Sequence, residues 1–397
     1  MTPPGSFTPA PLPVAPLSDD ERLACLRLIR SGHVGPVTFR ELINHCGGAR
    51  AALDALPTLS RRAGRAARVF PEADAIAELK AAERAGARVV FTIEPGYPPM
   101  LATLDAPPPM IYLKGRCELF ESPTVGIVGS RQASAAGIKL AGHFARALGE
   151  AGFPIVSGLA RGIDGAAHAA SLSHGTVAVL AGGIDIVYPP EHRALHDKIG
   201  DMGCLVTERP PGFVPRGKDF PRRNRLISGL SRGIIVIEAA RRSGSLVTAR
   251  LAGEQGREVF AVPGHPMDPR AEGTNQLLKS GATLATGPED VIEALGPQLS
   301  SPLLPGLMEP SPVGSLSAPP EGVAPPERAA PGGLPPDPGC DQRSLLLAAL
   351  GPSPVDLDTL ARATGLGARD IRVLLLELDL AGEIVRHGAH LVSRAVA

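Results

Sequence analysis

The chain has 397 residues, of which 44% are hydrophobic and 3% aromatic, and its 40 basic residues balance its 40 acidic residues. This length suits two or three domains with buried cores, and the zero net charge excludes a general attraction to polyanions. No stretch approaches the roughly 20 apolar residues of a membrane span, and the Pro-rich start lacks a signal peptide's basic and apolar regions. We therefore expect a cytoplasmic protein without a membrane partner.

The N-terminal part divides into two segments. Residues 1–17 are Pro-rich without periodicity, which predicts a disordered leader. Residues 18–80 predict a small helical domain, with Ser18 capping the first helix, Thr38 capping the second and Gly47 ending it. The phrase GHVGPVTFRELI fits a helix-hairpin-helix turn that binds a DNA phosphate through backbone N–H groups. A plain packing turn remains the alternative interpretation.

Residues 81–296, with a core at 124–290, alternate apolar strands with amphipathic helices, one of which is capped by Ser134 and closed by Gly152. Strands buried on both faces and joined by crossover helices predict an α/β fold with a doubly wound parallel sheet. Ligands of such sheets bind outside the carboxyl ends of the strands. The predicted strands are TVGIVG, FPIVSG, TVAVLAGG, CLVTERP, GIIVIEA, EVFAVPG and ATLATG.

The C-terminal part begins with a Pro-rich linker over residues 297–341. Residues 342–397 then predict three short helices and a hairpin around Gly388, which together make a winged helix. The third helix carries two basic residues, Arg369 and Arg372, among several acids. Contact with double-stranded DNA and a role in protein packing therefore both remain open for this domain.

Several loops at the predicted strand ends have the composition of anion-binding turns. The first strand is followed by Gly129, Ser130 and Arg131, and the second by the stretches 157–158 and 161–162. Glycines and helix N-termini present backbone N–H groups to anionic oxygens. The first loop does not match GxGxxG, and no P-loop motif is present, which argues against dinucleotide and P-loop nucleotide sites. The residues of the second loop are Ser157, Gly158, Arg161 and Gly162.

Basic residues concentrate between positions 220 and 250, where the only acid is Glu238. Together with Arg131 and Arg161, several of these arginines lie at strand–helix junctions on one edge of the predicted sheet. Phosphate contacts supply affinity without base identity, so this pattern predicts binding of a nucleic acid with little sequence preference. A solvated basic face is the alternative. The arginines are Arg222, Arg223, Arg225, Arg232, Arg241, Arg242 and Arg250.

Residues with catalytic potential are few. Glu208 and Glu238 are the candidate carboxylates for a nucleotide-cleaving enzyme, but we expect Glu238 to pair with or position an arginine. Asp164 and His168 lie four residues apart, and without a third ligand we expect a helix cap and a packed histidine. We therefore predict no catalytic residue and no enzyme. A nucleotide-derivative hydrolase or nucleotide sensor is the alternative.

Cysteine usage predicts neither a cofactor nor a metal. The cysteines are scattered and form no CxxC motif or metal-ligand spacing with histidine. We expect buried or neutral thiols, without disulfides, zinc or thiol catalysis. The five positions are Cys25, Cys46, Cys117, Cys204 and Cys340.

Seven phrases, in order and covering nearly all of 124–290, resemble the DNA-processing protein A (DprA/Smf) family. This resemblance implies an extended Rossmann domain that binds incoming single-stranded DNA in natural transformation and loads RecA recombinase on it. The phrases are GIVGSRQAS (126–134), SGLARGIDGAAHAASL (157–172), VLAGGIDIVYPPEH (179–192), FPRRNRLISGLS (220–231), IEAARRSGSLVTA (237–249), VFAVPGH (259–265) and GTNQLLKSGA (273–282).

The resemblance also implies site residues and partners. Arg131 of the GSR phrase and Arg222 of the FPxRN phrase would bind single-stranded DNA, and arginine replaces the lysine that the family often has at the second position. Asn224 and Arg225 belong to the same phrase. The SGS turn, Ser243, Gly244 and Ser245, would bind a further phosphate through its backbone.

The expected partners, besides DNA, are RecA, single-strand-binding protein and a second copy of the chain. The family dimerises through the Rossmann domain, and segment 265–285 is the candidate surface. A third hypothesis treats the terminal domains chiefly as contact points for other proteins.

Overall fold

The computed structural model describes residues 16–62, 68–296, 342–388 and 390–395. Nearly all of the predicted leader and the whole predicted linker lie outside these residues. None of the helices in the described ranges is long and apolar enough to cross a membrane.

The N-terminal part consists of four helices, α1 (Asp19–Arg30), α2 (Pro36–Cys46), α3 (Ala49–Arg62) and α4 (Glu72–Arg84). Ser18 caps α1 as predicted, because its Oγ accepts a hydrogen bond from the N–H of Glu21 at 3.3 Å. The prediction that Thr38 caps α2 is wrong. This helix begins at Pro36, which suits a first helical position because it lacks an N–H. Gly47, with φ of 81°, ends α2 as predicted.

A nine-stranded sheet forms the centre of the molecule, in the order β1-β2-β6-β5-β4-β3-β7-β8-β9. The seven strands from β3 to β9 are parallel, which confirms the doubly wound sheet, while β1 and β2 add an antiparallel edge that the sequence analysis missed. The strands are β1 (Arg88–Phe91), β2 (Met110–Gly115), β3 (Val125–Gly129), β4 (Ile155–Ser157), β5 (Thr176–Val179), β6 (Cys204–Thr207), β7 (Gly233–Ile237), β8 (Glu258–Ala261) and β9 (Thr283–Leu284).

Helices cover both faces of this sheet because neighbouring strand residues point to opposite sides. Ile127 packs with α6 and α7 in one core cluster, whereas Val128 packs with α9 and α10 in another. The helices of this part are α5 (Pro99–Ala102), α6 (Ala135–Glu150), α7 (Ile163–Ser171), α8 (Arg193–Met202), α9 (Asp219–Leu230), α10 (Gly244–Glu254), α11 (Glu272–Lys279) and α12 (Pro288–Leu295).

The strand order reverses between β3 and β7, which are paired neighbours although β3 connects to β4 and β7 to β8. A crevice opens at such a point because the crossover helices leave in opposite directions. The loops that follow β3, β4 and β7 are therefore brought to one edge. These loops contain the predicted anion-binding turns.

The C-terminal part is a winged helix, as predicted, with α13 (Gln342–Ala349), α14 (Leu357–Thr364) and α15 (Ala368–Ala381) next to β10 (Val355–Asp356), β11 (Ile384–His387) and β12 (Leu391–Arg394). Its third helix, α15, packs against α2 and α3 of the N-terminal part, with Leu376 and Leu380 buried there. Arg386 donates hydrogen bonds to Glu41 of α2 across this contact and to Asp379 of α15 within the winged helix.

Candidate nucleic-acid interface

The strand-end surface, as we define it, comprises residues 129–134, 158–162 and 238–245 with the first two turns of α9. Gly129 ends β3 beside Ile163, and a Cβ at this position would lie 2.6 Å from the Ile163 side chain. The Ser130 Oγ accepts a hydrogen bond from Gln132 N at 3.1 Å and so shapes the turn. This turn presents the exposed side chain of Arg131 to solvent.

An aromatic pair lies next to Arg131. The Arg131 guanidinium is 5.4 Å from the ring centroid of Phe220, the second residue of α9. The Tyr188 ring packs on Phe220 with centroids 5.0 Å apart, and Tyr188 is 47% exposed. A cation beside aromatic rings can contact a phosphate while the rings stack with a base. Tyr188 and Phe220 were not among the predicted site residues, although both lie in the phrases that resemble the family.

Arg222 is exposed and lines a pocket of about 590 Å³. The pocket holds four basic side chains against one acid, Asp219. Arg216 donates its backbone N–H to Asp219 at 2.9 Å, and this hydrogen bond is the main reason that the pKa of Asp219 is lowered. Arg209 contacts the same carboxylate at 2.7 Å. The lining residues are Arg209, Gly212, Phe213, Val214, Arg216, Lys218, Asp219 and Arg222.

Arg223 has a different environment from its neighbour, because its side chain is buried. It donates hydrogen bonds to the carbonyl oxygens of Gly158, at 2.7 Å, and Val179. Burial lowers its pKa to about 10, so it remains charged at neutral pH. Arg223 therefore holds the ends of β4 and β5 together and is not available to a ligand.

The other two residues of the FPxRN phrase also have protein partners. Asn224 donates to the carbonyl oxygen of Gly244 at 3.3 Å and so connects α9 to the start of α10. Arg225 forms an ion pair with Glu208 in a partly buried position. Glu208 therefore balances the charge of Arg225, and the predicted contact of Arg225 with DNA stays a prediction.

The loop after β4 differs from the expected anion cradle. Ser157 is buried and its hydroxyl donates to Ile127 O at 2.6 Å, while the N–H of Gly158 donates to Asp164 at 3.1 Å. Neither group is therefore available to a phosphate. Arg161 is exposed and forms an ion pair with Glu191. Gly162 has a φ of 72° and precedes α7.

Asp164 and His168 both stabilise this loop. Asp164 lies within α7 and accepts hydrogen bonds from Gly158 and Ala160, which precede the helix, so it holds the incoming loop and is not the helix cap. His168 is fully buried, as predicted, and its Nε2 accepts from the N–H of Leu159 at 3.3 Å. Burial lowers the pKa of His168 to about 3, so its ring is neutral.

The loop after β7 contains Glu238 and the SGS turn. The Glu238 carboxylate accepts hydrogen bonds from the backbone N–H and hydroxyl of Ser134, and in the described part of the chain it forms no ion pair within 4.0 Å. The expected ion pair of Glu238 with an arginine is therefore not formed, whereas its contacts with Ser134 hold the loop that carries Arg131. Ser243 caps α10, and its Oγ lies 2.7 Å from the Oγ of Ser245. Gly244 is exposed at the start of this helix.

Three families of known domains match successive parts of the chain. The family of the DprA-like N-terminal HHH domain matches residues 19–81, and the family of DNA recombination-mediator protein A matches residues 88–296. The family of the DprA winged helix domain matches residues 325–390. Protein Smf of Escherichia coli is 39% identical over 297 residues, covering 72% of each chain. DNA processing protein DprA of Bacillus subtilis is 44% identical over 202 residues, covering 50% of this chain and 68% of its own length.

Two solved structures resemble this one. DNA processing protein A from Streptococcus pneumoniae superposes with a TM-score of 0.58 and 30% identity, covering 70% of this chain and 98% of its own. The second, from Helicobacter pylori, was described for its single-stranded DNA binding mode; its TM-score is 0.50 and its identity 28%, covering 54% of this chain and 97% of its own. With domain matches along the chain and relatives at these identities, this chain belongs to the DNA-processing protein A (DprA/Smf) family.

Proposed function

We propose that this chain binds single-stranded DNA with little sequence preference during DNA processing in natural transformation. The observation that carries the proposal is the exposed Arg131 beside the Phe220 and Tyr188 rings on the strand-end surface. The basic pocket around Arg222 supplies further phosphate contacts. The relative from Helicobacter pylori, described as binding single-stranded DNA, supports the same conclusion.

Replacing Arg131 and Arg222 together by alanine tests this proposal, with binding to a labelled oligothymidylate measured by fluorescence anisotropy over a range of salt. The logarithm of the affinity should fall against the logarithm of the salt concentration with a slope of about −0.7 per neutralised phosphate. The double variant lacks two phosphate contacts, so it should bind weakly and its slope should be less steep by about 1.4.

Arg250→Ala is the matched control, because Arg250 is also exposed in the stretch 220–250 but pairs with Glu254 at 3.1 Å on α10. Its removal should leave binding unchanged. Equal binding by the double variant and the control would contradict the site assignment.

We infer that the chain acts without catalysis of its own. Both candidate carboxylates are engaged by protein groups, Glu208 by Arg225 and Glu238 by Ser134. These contacts give the alternative function, a nucleotide-derivative hydrolase, no free carboxylate at the strand-end surface. Incubating the protein with nucleoside monophosphates tests this inference, and release of a base would overturn it.

Dimerisation through segment 265–285 is part of the proposal. This segment carries two exposed apolar side chains, Met267 at 83% and Leu284 at 51%, and Leu284 lies in β9 at the edge of the sheet. Apolar residues on an edge strand are suited to pairing with a second copy. Leu284→Asp should halve the mass measured by light scattering, and an unchanged mass would place the dimer contact elsewhere.

RecA and single-strand-binding protein are the proposed protein partners, and the cytoplasm is the proposed compartment. Deleting residues 297–397 and measuring RecA filament formation on coated DNA would separate the roles of the domains. Retained DNA binding and RecA loading would limit the winged helix to regulation. Loss of RecA loading alone would favour the hypothesis that the terminal domains contact other proteins.

A further inference from the structure

Two cysteines that are 87 positions apart in the sequence meet where β2 and β6 pair. Cys204 begins β6 and is the registered partner of Gly115 at the end of β2, and the N–H of Arg116 donates to Gly203 O at 2.7 Å. Gly115 has a φ of 103°, and a Cβ there would lie 2.9 Å from Gly200 O, so the backbones approach closely. Cys117 follows two residues after Gly115.

The two thiols have different exposure and interact with each other. Cys204 is buried, while Cys117 is half-buried, with its Sγ 3.6 Å from Gly115 O. The neighbouring Cys204 thiol is the largest cause that lowers the pKa of Cys117, and Arg88 on β1 adds to it. Burial and Glu118 oppose this shift. The same thiol contact raises the pKa of Cys204.

We propose that Cys117 and Cys204 form a peroxide-reactive pair, in which Cys117 is the attacking thiolate and Cys204 the resolving thiol of a reversible disulfide. The Cys117 thiolate attacks one oxygen of a hydroperoxide, so a sulfur–oxygen bond forms, the oxygen–oxygen bond breaks and hydroxide or alkoxide leaves. The Cys204 thiol then attacks the sulfenic sulfur, forming the disulfide and releasing water. The peroxide receives the two electrons that the two thiols lose.

This pair differs from the other described cysteines in its surroundings. Burial raises the pKa of Cys25 to about 12, and it also raises the pKa of Cys46, which is half-buried like Cys117. Cys46 is therefore a matched control of similar exposure without an activating neighbour. Cys340 lies outside the described residues, so reactivity must be followed peptide by peptide.

Alkylation of the full-length protein by iodoacetamide, followed by mass spectrometry of tryptic peptides, tests the activation of Cys117. Because the pKa of Cys117 is lowered and that of Cys46 is raised, the alkylation rate of Cys117 should level off at a lower pH than that of Cys46. Although a more acidic thiol is a weaker nucleophile, the larger thiolate fraction should make Cys117 react faster than Cys46 at pH 6. Equal rates for the two cysteines would overturn the proposal.

Peroxide treatment tests the disulfide itself. Non-reducing digests should contain the peptide 117–131 linked to the peptide 199–216, and dithiothreitol should separate them. In Cys204→Ser the reaction should stop at a Cys117 sulfenic acid that dimedone traps. Irreversible oxidation of Cys117 in the native chain, without the linked peptides, would overturn the proposal.

The inference does not rest on the proposed DNA-binding function. Cys204 lies at the amino end of β6, whereas the strand-end surface lies at the carboxyl ends of the parallel strands. Oligonucleotide binding by the oxidised protein should therefore equal that of the reduced protein. A failure of the Arg131 and Arg222 test would leave the thiol result unaffected.

Discussion

Two adjacent arginines of α9, Arg222 and Arg223, have opposite environments. Consecutive helical residues point about 100° apart, so one side chain reaches the basic pocket while the next enters the core. In the sequence both arginines belong to one basic cluster, because composition does not show which way a side chain points. The helix phase, set by burial of Leu226 and Ile227, separates their roles.

The same substitution at both positions should give opposite phenotypes. Arg223→Met leaves the carbonyl oxygens of Gly158 and Val179 without donors, so the free energy of unfolding should fall by about 3 kcal/mol. Arg222→Met should change it by less than about 0.5 kcal/mol, since the side chain is exposed.

Urea unfolding and oligothymidylate anisotropy on the same two variants would check this difference. Arg222→Met should weaken DNA binding at nearly unchanged stability. If both variants lost stability equally, the separate roles assigned to Arg222 and Arg223 would be wrong.

His168 makes stability depend on pH. Its pKa is about 3 in the folded state, because burial disfavours the charged ring, and near 6.5 when unfolded. The unfolded state therefore binds the extra proton between these values. The free energy of unfolding should be fully retained above pH 6.5 and fall by up to about 1.4 kcal/mol per pH unit as the pH drops toward 3.

Urea titrations of the wild type and His168→Gln between pH 4 and 8 measure this contribution. The stability difference between them should shrink as the pH falls below 6.5. His143→Gln changes an exposed histidine on α6 and is the control. Its free energy of unfolding should vary with pH in the same way as that of the wild type. If the stability of His168→Gln varied with pH in the same way as that of the wild type, His168 would not be the source of the pH dependence.

At the scale of elements, the start of α6 links β3, β7 and the strand-end surface. The Ser134 Oγ accepts from the N–H of Gly137 at 2.9 Å, and its hydroxyl and N–H both donate to Glu238. Glu238 has a φ of 49°, an uncommon backbone conformation for a residue other than glycine. Ser134 therefore fixes the loop that carries Arg131.

Ser134→Ala should lower the free energy of unfolding by about 1 kcal/mol through loss of the cap and should also weaken DNA binding. Ser18→Ala is the matched control, since Ser18 caps α1 in the N-terminal part. It should lower stability by a similar amount without a change in DNA binding. Equal binding by both variants would show that the loop holds its conformation without Ser134.

The predictions of elements succeeded where apolar periodicity was strong and failed where local geometry competed. All seven parallel strands were found, because most of them are buried apolar runs between turns and the more exposed β8 and β9 are short apolar stretches that end at glycines or prolines. The strands β1 and β2 were missed because an antiparallel edge depends on a distant partner, here β6. The cap of α2 was misplaced because Pro36 starts this helix, so Thr38 lies inside it and its hydroxyl donates to Asp379 of the winged helix.

At the scale of the whole molecule, the winged helix is docked on the N-terminal helices. Arg386 is 9% exposed in its side chain and forms ion pairs with Glu41 and Asp379, at 2.7 and 3.1 Å. Burial of the Glu41 carboxylate is the largest cause that raises its pKa, so this side of the contact is largely shielded from water. A contact of α15 with double-stranded DNA, which the sequence leaves open, would have to use the part of α15 that does not face α2 and α3.

Arg386→Ala should release the winged helix, because it leaves two acids facing each other without a cation. Hydrogen exchange of α2 and α15 should become faster in this variant, and the radius of gyration from X-ray scattering should increase. Arg362→Ala, an exposed change on α14, should alter neither. Unchanged exchange in Arg386→Ala would show that Leu376 and Leu380 hold the contact alone.

The sequence by itself determined the parallel sheet, the winged helix, the family and the edge where we propose that DNA binds, because strand periodicity, loop composition and motifs are local. Only the tertiary structure decided which polar side chains remain available, since that depends on partners distant in sequence. Arg225 is balanced by Glu208 and Ser157 is buried, whereas Tyr188 joins Phe220 and Arg131. The thiol pair follows the same rule, because strand register places Cys204 opposite Gly115, two residues before Cys117.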